Sequence, residues 1–245
     1  MRRSLLASMA ILAVVLAVGC AADGESIGAI DQELTQADSI VEPTNTGIVE
    51  FINSNGGCSG TLVRNQWVLS AAHCWAGGWD QVAGAFVRMG GQAAWVQKAF
   101  PVSYLGVIDA ATDAMLLKLD RPLAMNGSTS GWRRNLTPVV VSLLNQTQLG
   151  CWGYGINDFG TVDHKLRLTN DEFMNGWDSG NVVLRRNGGQ HIQNGDSGGP
   201  CLYFDGTIVG VIHGHEILQN GTFGPDQITP SDRFTFWFEP TIANN

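Results

Sequence analysis

The stretch GIVEFINSNGGCSGTLVRNQWVLS, residues 47–70, decides the fold class. Gly47-Ile48-Val49-Glu50-Phe51-Ile52 is strand-length and rich in β-branched and aromatic residues, and Asn53-Ser54-Asn55-Gly56-Gly57 after it reads as a turn. Thr61-Leu62-Val63 and Trp67-Val68-Leu69-Ser70 then repeat the pattern of short apolar runs. Branched side chains fit a pleated surface, whereas Asn and Gly adopt the tight turn backbone that such residues resist. The same texture returns in Met115-Leu116-Leu117-Lys118-Leu119, Val139-Val140-Val141, Val182-Val183-Leu184 and Thr207-Ile208-Val209-Gly210-Val211-Ile212. No long apolar stripe of helical period precedes the C-terminal end, and the chain has no internal repeat. Many short strands without intervening helices predict an all-β protein made of antiparallel barrels or a sandwich.

Composition agrees with one globular domain. Of 245 residues, 44% are hydrophobic and 15% charged, which suits a chain with a buried core rather than a disordered one. A net charge of −8 argues against nucleic acid as a partner, which calls for a basic face.

The N-terminus reads as an address. Arg2 and Arg3 precede an apolar run from Leu5 to Val18 that is too short for a spanning helix and has the layout of a secretory signal over residues 1–19. Its end, Leu16-Ala17-Val18-Gly19-Cys20, resembles a bacterial lipobox, in which a lipid is attached to the cysteine; this makes Cys20 the expected attachment site. Residues 20–39 are small, polar and acidic, with Asp23, Glu25, Asp31 and Glu33, and read as a tether or pro-segment. The domain runs from residue 40 to residue 245, and membrane contact is expected only through the lipid. Export implies an oxidising compartment. Of five cysteines, Cys20 is the odd one, and Cys58, Cys74, Cys151 and Cys201 can pair in three ways. No two cysteines have zinc-ligand spacing, which argues against a zinc site among them; no cofactor is expected, and no metal either, a site from His191, His213 and His215 being the minor alternative.

Three islands carry the chemistry-bearing residues. The first is Cys58-Ser59-Gly60-Thr61-Leu62-Val63 leading to Trp67-Val68-Leu69-Ser70-Ala71-Ala72-His73-Cys74. The second is Asp113-Ala114-Met115-Leu116-Leu117-Lys118-Leu119-Asp120-Arg121-Pro122-Leu123, and the third is Gly195-Asp196-Ser197-Gly198-Gly199-Pro200. Together, in the order His, Asp, Ser, they resemble the signature blocks of the chymotrypsin/trypsin family of serine proteases. The resemblance continues loosely from about residue 40 to the C-terminus, where Phe234-Thr235-Phe236-Trp237-Phe238 is similar to the family's closing segment.

That resemblance implies two packed six-stranded antiparallel β-barrels, with room for a short C-terminal helix. It also implies a secreted serine endopeptidase acting on proteins or peptides through an acyl-enzyme, with His73, Asp113 and Ser197 as the catalytic triad. A serine hydroxyl is a weak nucleophile near neutral pH and needs a base within hydrogen-bond reach. Imidazole titrates near neutrality, so His73 can take the proton and return it to the leaving amine. Asp113 fixes the ring's tautomer; it is preferred over Asp109 because it directly precedes the apolar strand, as in the family motif. The backbone N–H groups of Gly195 and Ser197 are the implied oxyanion hole. Asp196 is the implied structural carboxylate of that loop. In many members it pairs with an α-amino group released by cleavage. Here there is no Lys or Arg between Arg3 and Arg64, so either another protease cuts the chain or backbone amides hold Asp196 locally. The alignment implies the bridges Cys58–Cys74 and Cys151–Cys201.

Specificity departs from trypsin. His191 stands six residues before the nucleophile, where trypsins carry aspartate, and Val211-Ile212-His213-Gly214-His215 replaces the family's Ser-Trp-Gly pocket wall. His191, His213, Gly214 and His215 are therefore the expected substrate-binding residues, with imidazoles suited to an acidic P1 side chain and medium-sized polar or apolar P1 residues as the alternative. Two other readings compete. Gly195-Asp196-Ser197-Gly198-Gly199 fits the nucleophile elbow of α/β-hydrolases, but that fold needs the order Ser, acid, His and strand–helix repeats. A trypsin-like domain turned binding module normally lacks a triad member, and all three are present.

Overall fold

A computed structural model describes residues 32–33, 46–54, 56–75, 84–102, 110–125, 136, 147–157, 160–186, 190–219 and 223–245. The signal, Cys20, nearly all of the tether, Asp109 and Val139-Val140-Val141 lie outside these residues.

Two closed six-stranded barrels make up the domain. The first runs in the order β2-β3-β4-β7-β6-β5, from β2 (Ile48–Asn53), β3 (Gly56–Arg64), β4 (Trp67–Ser70), β5 (Phe86–Met89), β6 (Gln92–Pro101) and β7 (Met115–Leu119). The second runs β10-β14-β13-β12-β8-β9, from β8 (Gln148–Gly153), β9 (Arg167–Asp178), β10 (Asn181–Arg186), β12 (Pro200–Leu202), β13 (Ile208–Ile217) and β14 (Phe223–Pro230). Neighbouring strands in both are antiparallel. Outside the barrels, β1 (Gln32–Glu33) pairs in parallel with β11 (Gln190–His191), setting Glu33 opposite His191. A C-terminal helix, α1 (Thr235–Ala243), follows a short 3-10 turn at Ser231–Arg233.

The expected turn closes the β2–β3 hairpin, with Asn53 opposite Gly56 and Ile48 opposite Thr61. Ile48, Val49, Phe51, Leu62, Leu69, Val87, Met89, Leu116 and Leu117 are wholly buried. Each such side chain contributes roughly 1.5–3 kcal/mol by leaving water. Glu50, the one charge in the opening run, is also buried; Arg88 and His164 hold its carboxylate on both oxygens. Phe234 and Phe238 fix α1 to the core, while Phe236 between them faces solvent.

Two disulfides brace the functional end. Cys58 on β3 is bonded to Cys74 just beyond β4, closing a loop of 16 residues in sequence separation. Cys151 on β8 is bonded to Cys201 on β12, and the two stand directly opposite each other in the ladder.

Candidate active site

His73 sits in the 3-10 turn Ala72–Cys74 immediately after β4, and Asp113 immediately before β7. Because β4 and β7 are ladder neighbours, with Ser70 opposite Met115, these two strand ends bring histidine and aspartate together. The His73 backbone N–H donates to Asp113 Oδ1 at 2.8 Å, and Nδ1 of its ring lies 2.6 Å from Oδ2. Asp113 is 2% exposed, whereas 41% of the His73 side chain is open to solvent. Burial opposes ionisation of Asp113. The hydrogen bonds from His213 and His73, with the His73 charge, outweigh it and hold the carboxyl well below the usual carboxylate range. An ionised Asp113 requires Nδ1–H on His73, which leaves Nε2 as the basic nitrogen.

Ser197 belongs to the turn between β11 and β12, in the second barrel, and is half-buried. The first barrel grips this turn through Ser59 on β3. Ser59 N–H donates to the Ser197 carbonyl at 2.8 Å, and Ser59 Oγ donates to the Gly195 carbonyl at 2.8 Å. Ser59 Oγ also accepts from Tyr154 N–H at 2.8 Å. Ser59 was not singled out by the sequence reading. On the other side, Gly198 N–H donates to the Ile212 carbonyl and Ile212 N–H to the Gly199 carbonyl, at 2.9 and 2.8 Å. The Ser197 carbonyl is 3.6 Å from Cys74 Sγ, which seats the serine beside the residue following His73. Among the described residues, no hydrogen bond joins His73 Nε2 to Ser197 Oγ, as is often so in unliganded sites; Nε2 lies 3.9 Å from Cys74 Sγ. Nor does the N–H of Gly195 or Ser197 donate to any described residue. Gly195 has φ +97°, a left-handed conformation that favours glycine.

Asp196 points away from the solvent into the loop's interior. Its Oδ1 accepts from Gly155 N–H at 2.7 Å and its Oδ2 from Gln193 N–H at 2.9 Å. Burial pushes this carboxyl up to about 7, with the Gln193 and Gly155 amides and the Arg167 charge partly offsetting it. This is local backbone support, one of the two arrangements the sequence left open. The folded carboxyl binds a proton more tightly than an unfolded one, so its contribution to stability is fully present below pH 4 and is lost as pH rises towards 7. The uncleaved chain is expected to lose thermal stability across that window by up to roughly 4 kcal/mol. Melting curves of wild type and Asp196→Asn from pH 4 to 7 check this, because the variant lacks the titrating group and has a flatter profile.

The residues expected at the substrate pocket divide into two groups. His191 is buried, with Nε2 of its ring 2.9 Å from the Gln193 side-chain nitrogen. His215 Nδ1 lies 3.1 Å from the Ile192 carbonyl, and the His191 and His215 rings meet edge-on at 6.5 Å. His213, expected in the pocket wall, is engaged with Asp113: its Nδ1 is 2.6 Å from Oδ2, the oxygen that also faces His73. Gly214 has φ +151° and open space where a side chain would start. Sequence reading missed Asp226, which is fully buried, pairs in register with His215 and accepts from Ile192 N–H at 3.1 Å.

Known proteins are similar to this chain. Mouse kallikrein 1-related peptidase b27 is 31% identical over 218 residues, 77% of this chain and 81% of the relative. Snake venom serine protease BPA of Bothrops jararaca is 30% identical over 224 residues, 81% of this chain and 83% of the relative. Among solved structures, human heparin binding protein (CAP37), as a mutant, matches with TM-score 0.65 at 22% identity, over 84% of this chain and 95% of that one. Mouse neuropsin matches with TM-score 0.66 at 18% identity, over 84% and 99%; at these identities the two structures speak for the fold alone. No helix among the described residues is long and apolar enough to cross a membrane. The Trypsin family model matches residues 41–238, and the chain belongs to the trypsin family of serine proteases.

Proposed function

We propose that this chain is an exported serine endopeptidase that cleaves peptide bonds through an acyl-enzyme formed on Ser197. The observation that carries the reading is the 2.6 Å contact between His73 and the buried, ionised Asp113, beside a serine turn that Ser59 ties to the same barrel. Ser197 Oγ attacks the scissile carbonyl while His73 Nε2 takes its proton. The tetrahedral oxyanion is received by the N–H groups of Gly195 and Ser197, and His73 then protonates the leaving amine. Water deacylates the enzyme by the same route in reverse. Fold alone does not give this activity; the side-chain set supports the reading. Two disulfides fit an oxidising compartment, in keeping with the leader and with a lipid on Cys20 that would hold the enzyme at a membrane.

For specificity, the imidazoles of His191 and His215 at the pocket favour an acidic P1 side chain, and Asp226 is the group that would favour the opposite. The test is digestion of a diverse peptide pool by wild type and Ser197→Ala, with the cuts mapped by mass spectrometry. Cuts by the wild type alone, mostly after Glu or Asp, are expected. Cuts after Lys or Arg would assign the pocket's governing charge to Asp226, and equal cleavage by the variant would end the proposed mechanism.

A further inference from the structure

Asp113 holds two imidazoles on one oxygen. The Nδ1 atoms of His73 and His213 each lie 2.6 Å from Oδ2, and the two rings stand edge-on, with centroids 5.6 Å apart and planes at 85°. The contact with His73 positions the base for peptide hydrolysis as proposed above; the contact with His213 helps hold the carboxylate but touches no reacting atom. One nitrogen from each ring and a carboxylate oxygen lie within 4.8 Å of one another. We propose that His73, Asp113 and His213 form a binding site for a late first-row divalent cation, zinc above all, whose occupation reversibly switches the peptidase off.

The donor set selects the ion. Two imidazoles and one carboxylate, with a fourth position left open, match three-ligand zinc sites, while calcium and magnesium prefer all-oxygen cages. Access is available, because the side chains of His73 and His213 are 41% and 27% exposed while that of Asp113 is 3% exposed. A cation therefore enters from solvent onto a buried carboxylate. Zinc bonds of about 2.0–2.2 Å place tetrahedral ligand atoms roughly 3.4 Å apart. The two Nδ1–Oδ2 contacts thus need to open by less than an ångström around the ion. Asp113 Oδ1 keeps its bond from the His73 backbone N–H at 2.8 Å, the kind of outer contact that holds a ligating carboxylate in place.

The proton count explains the inhibition. A neutral imidazole carries one proton, and with Asp113 ionised that proton sits on Nδ1. Zinc on Nδ1 moves it to Nε2, so no proton is lost from the ring, but Nε2 can no longer accept the hydroxyl proton of Ser197. The inhibitory part rests on the reading of His73 as the base; cation binding does not.

Full-length Ser197→Ala protein, titrated with zinc chloride by calorimetry, is expected to bind one zinc per chain with micromolar or tighter affinity. Zinc should shift the imidazole NMR signals of two of the five histidines. Adding His213→Ser or His213→Gln to this background should weaken zinc at least tenfold. His164→Asn, which changes the histidine on Glu50, should leave it unaltered, and calcium should not bind. In the wild type, saturating zinc should lower peptide cleavage at least tenfold and a chelator should restore it. His213→Ser, normalised to its own metal-free rate, should lose that sensitivity. Absence of zinc binding with unmoved histidine signals overturns the site whatever the peptidase does, and so does an affinity indifferent to His213. Zinc binding as described in a chain that cuts no peptide upholds the site while the protease reading falls.

Discussion

Replacing Ser197 by alanine is expected to lower kcat/KM by roughly 10⁶-fold, and Asp113→Asn by roughly 10⁴-fold, with KM little changed in both. The two losses have different origins. Without Oγ no acyl-enzyme forms, and what remains is the rate supported by oxyanion donors and substrate positioning. With asparagine in place of Asp113, the amide can place an N–H against Nδ1, which stabilises the tautomer carrying its proton on Nε2 and leaves no base facing Ser197. The aspartate's burial sharpens this effect, since water cannot take over the role of its charge in a 2%-exposed position. Steady-state kinetics on any cleaved peptide checks both. Because the two act as one unit, the double variant should be scarcely slower than Ser197→Ala alone.

Gly198→Ala is expected to cost about 2–6 kcal/mol of stability and nearly all activity, although the residue has no chemical role. Gly198 has φ +84°, and a Cβ there would meet Ser70 Oγ at 2.1 Å, the Ser59 carbonyl at 2.3 Å and the Ala71 nitrogen at 2.8 Å. None of these can retreat cheaply. Ser70 Oγ donates to the Ser59 carbonyl at 2.7 Å, and Gly198 N–H is itself tied to Ile212. The turn would have to lift off the first barrel, carrying Ser197 away from His73. Gly57→Ala is the contrast, because nothing lies within 4 Å of a Cβ at that position. Urea unfolding of both variants should show a large shift of midpoint for Gly198→Ala and a change within about 0.5 kcal/mol for Gly57→Ala. Similar small shifts for both would contradict the account of how the serine turn is seated.

The stretch of residues 47–70 announced an all-β fold because its apolar runs and Asn/Gly turn suit strands, while barrels rather than a sandwich came from the family resemblance. Strands β6 and β9 were harder to see. Gln92–Pro101 is diluted with alanine, glutamine and lysine, and Arg167–Asp178 carries six charged or amide side chains, so barrel closure rather than local preference makes them strands. The site was legible where chemistry has a short sequence signature, as at Ala72-His73-Cys74 and Gly195-Asp196-Ser197. Ser59 had none, since its partners lie 136 and 138 positions away. His213 shows the limit most clearly. A register irregularity falls between Ile212 and Gly214, so alternation along β13 could not foretell that this ring meets Asp113. Asp226 gave no warning either, because its neighbours His215 and Ile192 join it only through the β13–β14 ladder and the turn before Ser197.

Covalent trapping of the nucleophile tests the central claim most directly. The folded protein is incubated with a fluorophosphonate, digested and read by mass spectrometry. The expected result is a single adduct on Ser197, at least a hundredfold slower to form in His73→Ala. An intact fold that takes up no adduct at Ser197, or takes it up equally fast without His73, would contradict the account.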